Sequence, residues 1–314
     1  MSTLLIDGTN LFMIHWSANP ALDLAGNPIG AVSGFTRFVS KFCQAYQPTK
    51  CVVFFDGKNG SAKRKSIFKD YKSGRKPRTI IARSIGFETI DAANRNRDYQ
   101  FKALQEILET LPVNTVICND FETDDAIGYF IKNKTNYGCE NNEDIVIVSC
   151  DKDFLQLIND NTNIYNPISK KFISKDNIVE NYEVSAANWL FYRSITGDKS
   201  DNLDGVKGIG PATLKKLFDI TSNEKFEIES IKSLDDNNKI AKKLKENIDL
   251  IERNEKLMSL SAPLISLSAT DRLHYQLTHF EPRIDKKNFI IKAATINNID
   301  ISMTVNFNSL LTRK

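Results

Sequence analysis

Four short apolar runs punctuate the first half of this chain: Leu4-Leu5-Ile6, Cys51-Val52-Val53-Phe54-Phe55, Thr115-Val116-Ile117-Cys118 and Ile145-Val146-Ile147-Val148. Their β-branched and aromatic content reads as buried strands. Between the first two, residues 31–46 place Val32, Phe35, Phe38, Val39 and Phe42 at helical spacing, and further helices are predicted at 98–111 and 123–134. Strands that alternate with helices predict an α/β fold, a mostly parallel central sheet with helices on both faces. Residues 64–97 break that rhythm as a basic insertion, and from Ser185 the pattern becomes all-helical. The 314 residues therefore divide into an expected α/β domain over 1–183 and a helical domain over 184–314.

Acids sit at the ends of these strands. Asp7 closes the first, Asp56 the second, and Asp151 and Asp153 follow the fourth; Glu122, Asp124 and Asp125 precede the helix expected at 123. The carboxyl ends of parallel strands converge on one sheet edge, where ligands bind, so these side chains are expected to meet. A single Asp in such a place is often only a helix cap. Four coincidences are not explained by capping.

A second constellation lies between residues 197 and 219. Asp198 and Asp201, three apart, can point one way from a helical turn. Gly205, Gly208 and Gly210 follow, with Lys207 among them and Pro211 at a plausible first helical position. Such a backbone can approach a phosphate without side-chain obstruction, although glycines at this spacing also serve as a plain tight turn.

Nine carboxylates in one pocket would repel, and hard divalent cations relieve that repulsion; Mg²⁺ or Mn²⁺ suits oxygen ligands best. Two such ions roughly 4 Å apart can hold a phosphodiester and activate water, so no protein nucleophile is required. With only His15, His274 and His279 in the chain, imidazole chemistry is disfavoured. Nucleotide-triphosphate hydrolysis fits poorly, because Gly57-Lys58-Asn59-Gly60-Ser61 lacks P-loop spacing. A net charge of +3 hides nine Lys/Arg against one acid between Lys58 and Arg78, a run that calls for a polyanionic partner. Five cysteines without a Cys-x-x-Cys pair imply reduced thiols. No signal-peptide pattern and no long apolar run is present, so a cytoplasmic location is expected.

The set Leu5-Ile6-Asp7-Gly8-Thr9-Asn10, Phe55-Asp56-Gly57, Glu122-x-Asp124-Asp125, Asp151-Lys152-Asp153 and Gly197-Asp198-x-Ser200-Asp201-Asn202 resembles the 5′-nuclease (flap endonuclease) family, which includes free-standing phage 5′–3′ exonucleases. The resemblance runs from residue 3 to about 219 and implies a PIN-like sheet, a basic arch at about 64–97 and a helix-three-turn-helix at about 197–219. It implies a two-metal ligand set of Asp7, Asp56, Glu122, Asp124, Asp125, Asp151, Asp153, Asp198 and Asp201. It gives Lys72 the contact to the scissile phosphate, with Arg64 and Arg75 as phosphate clamps. Tyr71 either stacks on a terminal base or packs inside the arch. Gly205, Lys207, Gly208 and Gly210 would grip one strand of a duplex, with room for a K⁺ ion. The implied activity is metal-dependent hydrolysis near the 5′ end of DNA in replication, by a monomer acting on flaps, nicks or ends, with RNA primers also within reach. One departure stands out: related enzymes often carry arginine seven residues after the first aspartate, where this chain has Ile14, followed by His15.

Two other readings compete. A phosphatase with Asp7 as nucleophile would need a second Asp where Thr9 stands, and a binding module without catalysis would have lost acids that are all present.

Overall fold

The computed structural model describes residues 2–74, 86–87, 89–296 and 299–311. Six strands form one sheet: β1 (Ser2–Asp7), β2 (Lys50–Asp56), β3 (Asn114–Cys118), β4 (Asp144–Val148), β5 (Thr162–Asn166) and β6 (Lys171–Ile173). Their order is β3-β2-β1-β4-β5-β6, parallel except for antiparallel β6. The last two strands were not expected. The strand order reverses between β1 and β4, the place where a doubly wound sheet opens a crevice beyond its strand ends.

Alternate residues of the strands feed two separate cores, as the period of two dictates. Leu5, Val52, Phe54, Val116, Ile145 and Ile147 point to one face. There they meet α5 (Thr123–Lys132) and α12 (Leu267–Thr278). Leu4, Ile6, Val53, Phe55 and Val148 point to the other. That face is covered by α1 (Gly8–Ala18), α2 (Gly30–Tyr46) and α4 (Ile90–Leu108). Helix α4 starts eight residues before the expected 98.

The second half begins with α6 (Ile178–Tyr182) and α7 (Ala186–Thr196), and α7 packs on α11 (Ile248–Met258). Short helices α8 (Pro211–Leu214), α9 (Ile228–Lys232) and α10 (Lys239–Glu246) lie between. The expected helical domain is not a single body, however. Helix α12 contacts β3, α13 (Lys286–Ile296) contacts α4, and the 3₁₀ segment Ile301–Leu310 lies on α2. Phe289, Ala293 and Phe307 are fully buried in the second core, so the last fifty residues close the α/β layer. Among the described residues no helix is long and apolar enough to cross a membrane, and all five cysteines are free.

Candidate active site

Beyond the carboxyl ends of β1, β2 and β4 lies a cleft of about 910 Å³. It is lined by Asp7, Asp56, Glu122, Asp124, Asp151 and Asp198, with Lys72 and Arg193 among them. Residues almost two hundred apart in sequence thus share one cleft. The sheet delivers the first two directly, since Asp7 is the last residue of β1 and Asp56 the last of β2.

Capping and site duties coincide. Asp7 Oδ1 accepts from Asn10 N (3.0 Å) as the cap of α1, while its Oδ2 accepts from Ser149 Oγ (2.9 Å). Asp151 Oδ1 accepts from Asp153 N (2.9 Å) at the start of the 3₁₀ turn Lys152–Leu157. Asp56 Oδ1 accepts from Thr123 N (3.0 Å) and Thr123 Oγ1 (2.8 Å), which ties the end of β2 to α5.

The electrostatics fall into two kinds. Burial, and then the neighbouring Asp56 charge, raise the Asp7 carboxyl to about 7 despite its hydrogen bonds. Burial and the Asp151 charge raise Asp153 to about 8, against the pull of Arg193. Asp124 and Asp151 are also raised, chiefly by burial. Glu122 goes the other way: burial opposes its charge, but Arg64 and then Lys72 outweigh it and bring the carboxyl down to about 2. Lys72 Nζ lies 2.7 Å from Glu122 Oε1, and Ser61 Oγ donates to the same oxygen at 2.5 Å. Burial disfavours the Lys72 charge, yet Glu122, Asp124 and Asp201 prevail and raise its pKa.

Several expected roles do not survive the geometry. Arg64, expected as a phosphate clamp, is 2% exposed and holds Asp125 through two nitrogens, at 2.5 and 3.0 Å. Its Nε donates to Leu257 O (2.9 Å), so no face of the guanidinium is left for a phosphate. Asp125, expected as a metal ligand, is fully buried; besides Arg64 it accepts from Leu264 N (3.0 Å) and does not line the cleft. Tyr71 is 2% exposed, and its hydroxyl donates to Asp201 Oδ2 (2.8 Å) and Glu122 Oε2 (3.1 Å). Of its two readings, packing inside is the one observed. His15 is half-buried against Phe38, and burial followed by the Arg37 charge lowers it to about 4, so it is a neutral histidine and no substitute cation. Arg75 lies outside the described residues.

Asp198 and Asp201 flank one hydroxyl: Ser200 Oγ is 2.7 Å from Asp198 Oδ1 and 3.4 Å from Asp201 Oδ1. Asp198 reaches the cleft and Asp201 sits behind it against Tyr71. Sequence reasoning missed Arg193, whose guanidinium pairs with Asp198 and lies 3.5 Å from Asp153 Oδ1. Its position five residues before Asp198, in the last turn of α7, was the available signal.

In the glycine hairpin the three glycines differ. Gly205 is required by packing, since a Cβ there would lie 2.1 Å from Thr196 O. Gly208 is exposed with φ +78°, a left-handed conformation that glycine adopts at least cost, and Gly210 faces open space. Lys207 is exposed beside them, and the unanticipated Lys243 of α10 reaches within 3.7 Å of where a Gly208 Cβ would be.

The carboxylates are hard oxygen donors, and burial raises four of them, two in spite of an arginine within 4 Å, so the donor set fits Mg²⁺ or Mn²⁺. Among the described residues no three of them are drawn together as a ready-made ion site; Lys72 and Arg193 stand among them instead.

Comparison with known proteins bears on the family of the chain. Residues 2–183 match the family model described as 5′–3′ exonuclease, N-terminal resolvase-like domain. The chain is 31% identical over 227 residues to DNA polymerase I of Caldicellulosiruptor bescii, covering 70% of this chain and 24% of that protein. It therefore spans about a quarter of that relative's length. It is 29% identical over 265 residues to the flap endonuclease Xni of Shewanella halifaxensis, covering 83% of this chain and 93% of the relative. In fold it is similar to the flap endonuclease of bacteriophage T5 solved with DNA and metal ions, with a TM-score of 0.66 and 18% identity over 94% of this chain and 100% of that one. With the family model covering more than half of its length, the chain belongs to the 5′–3′ exonuclease family, the 5′-nucleases.

Proposed function

We propose that this chain is a divalent-metal-dependent, structure-specific 5′-nuclease that hydrolyses phosphodiesters near the 5′ end of DNA, at flaps, nicks or ends, during replication. The observation that supports it best is the meeting of six carboxylates from five segments in one cleft beside Lys72. Asp7, Asp56, Glu122, Asp124, Asp151 and Asp198 would hold the ions, with Asp153 just behind Asp151 and Asp201 behind Asp198. Two Mg²⁺ or Mn²⁺ ions held there would supply an activated water and charge neutralisation at the leaving oxygen. Lys72 has its ammonium in the cleft, where a scissile phosphate can exchange places with Glu122 as its partner. Arg193 has a guanidinium there as well, suited to a second phosphate oxygen. Lys207, Gly208 and Gly210 form the exposed hairpin that would take one strand of the duplex, with a K⁺ ion at its carbonyls. The protein would act as a cytoplasmic monomer, on RNA primers as well as DNA.

The test compares 5′-flap, nicked, gapped and RNA–DNA substrates, with free or blocked 5′ ends, in Mg²⁺, Mn²⁺ or EDTA. Short 5′ products in Mg²⁺ or Mn²⁺ and none in EDTA are expected. Cleavage that persists in EDTA, or no product from any substrate, would overturn the proposal.

A further inference from the structure

The segment before the undescribed part of the basic insertion is stitched to the loop that leads into the glycine hairpin. Asn202 Nδ2 donates to Asp70 O (3.0 Å) and Ser73 Oγ (3.0 Å). Lys72 N donates to Asp201 O (2.9 Å), and the Tyr71 hydroxyl donates to the Asp201 carboxylate behind it. Lys72 itself has φ +57°, a left-handed conformation that a lysine adopts only when its surroundings hold it there. Asn202 has φ +59°, which asparagine tolerates better than most residues.

The other end of this loop is rigid. Asp198 and Leu203 exchange two backbone hydrogen bonds of 2.8 Å. Val206 N donates to Ile195 O (2.7 Å) on α7, and Asn254 of α11 donates to Asp204 O (2.8 Å) and Ser194 O (3.0 Å). Three residues beyond Asn202 the hairpin begins. A load on the hairpin is therefore carried to Asn202 through well-bonded backbone, and from Asn202 to the three residues that include Lys72.

We propose that Asn202 is a positioning residue: it clasps the base of the basic insertion to the hairpin loop, so that a duplex seated on the hairpin sets where Lys72 stands over the carboxylates. The inference rests on the 5′-nuclease reading above and adds to it the coupling between duplex grip and the cut. The amide bonds none of the cleft's carboxylates; it acts through the segment that carries Lys72.

Two variants test this. Asn202→Gly keeps the left-handed backbone and removes the amide, and Asn202→Asp keeps the shape and removes the N–H donor. Both should cut a 5′-flap duplex about tenfold more slowly, which corresponds to about 1.4 kcal/mol. The loss should fall on kcat, with flap cuts spread over neighbouring phosphodiesters. On a short single strand, which does not engage the hairpin, both should stay within about twofold of wild type. A purely structural contribution would slow both substrates equally, and that result, or an unaffected flap rate, overturns the inference. A wild-type protein inactive on every substrate would instead overturn the nuclease reading itself.

Discussion

The two walls of the cleft solve the same electrostatic problem in different ways. On the α5 wall the protein supplies its own cations, which overcome burial at Glu122 though not at Asp124. Arg64 and Lys72 bring Glu122 down to about 2, and Arg64 holds Asp125 through two contacts in full burial. On the sheet wall burial prevails, even though Arg193 lies 3.5 Å from Asp153 Oδ1. Asp7 rises to about 7 and Asp153 to about 8, with Asp151 raised beside them. The difference shows where an external ion has work to do. A carboxylate already paired with a buried guanidinium gains little from a metal, whereas one kept half-protonated by burial gains its full charge.

The largest effect should come from the sheet wall. Asp151→Asn should slow Mg²⁺-dependent flap cleavage by about a thousandfold or more, on the order of 4 kcal/mol of lost transition-state stabilisation. Duplex binding in a gel-shift assay should be kept, because the hairpin is untouched. Thermal stability without metal should hold or rise, since an uncompensated carboxylate is removed. A variant that cuts at the wild-type rate would remove Asp151 from the ligand set.

The opposite pattern is expected across the cleft. Arg64→Met leaves Asp125 buried without its counter-ion and Glu122 with Lys72 alone, a loss of about 3–5 kcal/mol for a broken buried pair. Urea denaturation without metal should show it as a lower midpoint. If Arg64→Met were as stable as wild type while losing only phosphate affinity, the guanidinium would be a clamp after all.

How much of this was legible beforehand follows from which interactions are local. The four strands of the central sheet were readable because unbroken apolar runs have few other uses in a chain with these helices between them. Thr162–Asn166 and Lys171–Ile173 were not, since half their residues are polar and they lie at the edge of the sheet, buried on fewer sides. Residues 90–97 begin α4 on an exposed polar face that carries no helical apolar stripe. The place of the acids at strand ends was legible, because chain direction in a parallel sheet fixes it. Which acid faces the cleft was not: Asp124 and Asp125 are neighbours in sequence, and only Arg64 of α3 (Ala62–Ile67), packed against Leu257, holds one of them inward. Tyr71 fell to the same cause, as an aromatic in a basic run is buried here by partners 51 and 130 residues away.

The comparison can be sharpened with pH. A carboxyl raised from its ordinary range to about 7 or 8 binds a proton in the folded state that the unfolded chain has already lost. Between about pH 4 and pH 8 the native state therefore holds more protons, and the slope of unfolding free energy against pH is negative. The contribution of Asp7 and Asp153 is fully present below about pH 4 and is lost as pH rises through about 7 to 8. The metal-free protein should melt at lower temperature at pH 8.5 than at pH 6, and Mn²⁺ should reduce that difference, because the ion takes over from the proton. Calorimetric Mn²⁺ affinity should tighten over the same interval, with proton release. A metal affinity flat from pH 6 to 9 would mean that these carboxyls are already ionised.

The smallest effect discriminates most finely between the walls. Ser149 Oγ donates to Asp7, and Ser61 Oγ donates to Glu122. A hydrogen bond to a carboxylate favours its charged form, so losing one raises the pKa; about 0.5–1.5 kcal/mol corresponds to roughly half a unit to one unit. Ser149→Ala should thus move the midpoint of the pH dependence of Mn²⁺ affinity upward by about that amount, because nothing else near Asp7 is cationic enough to compensate. Ser61→Ala should leave the midpoint where it was: Glu122, at about 2, keeps Arg64 and Lys72 and stays ionised across the whole range even after a comparable rise. If Ser61→Ala shifted the midpoint as much as Ser149→Ala, the built-in cations would not be shielding the α5 wall, and the two walls would be one.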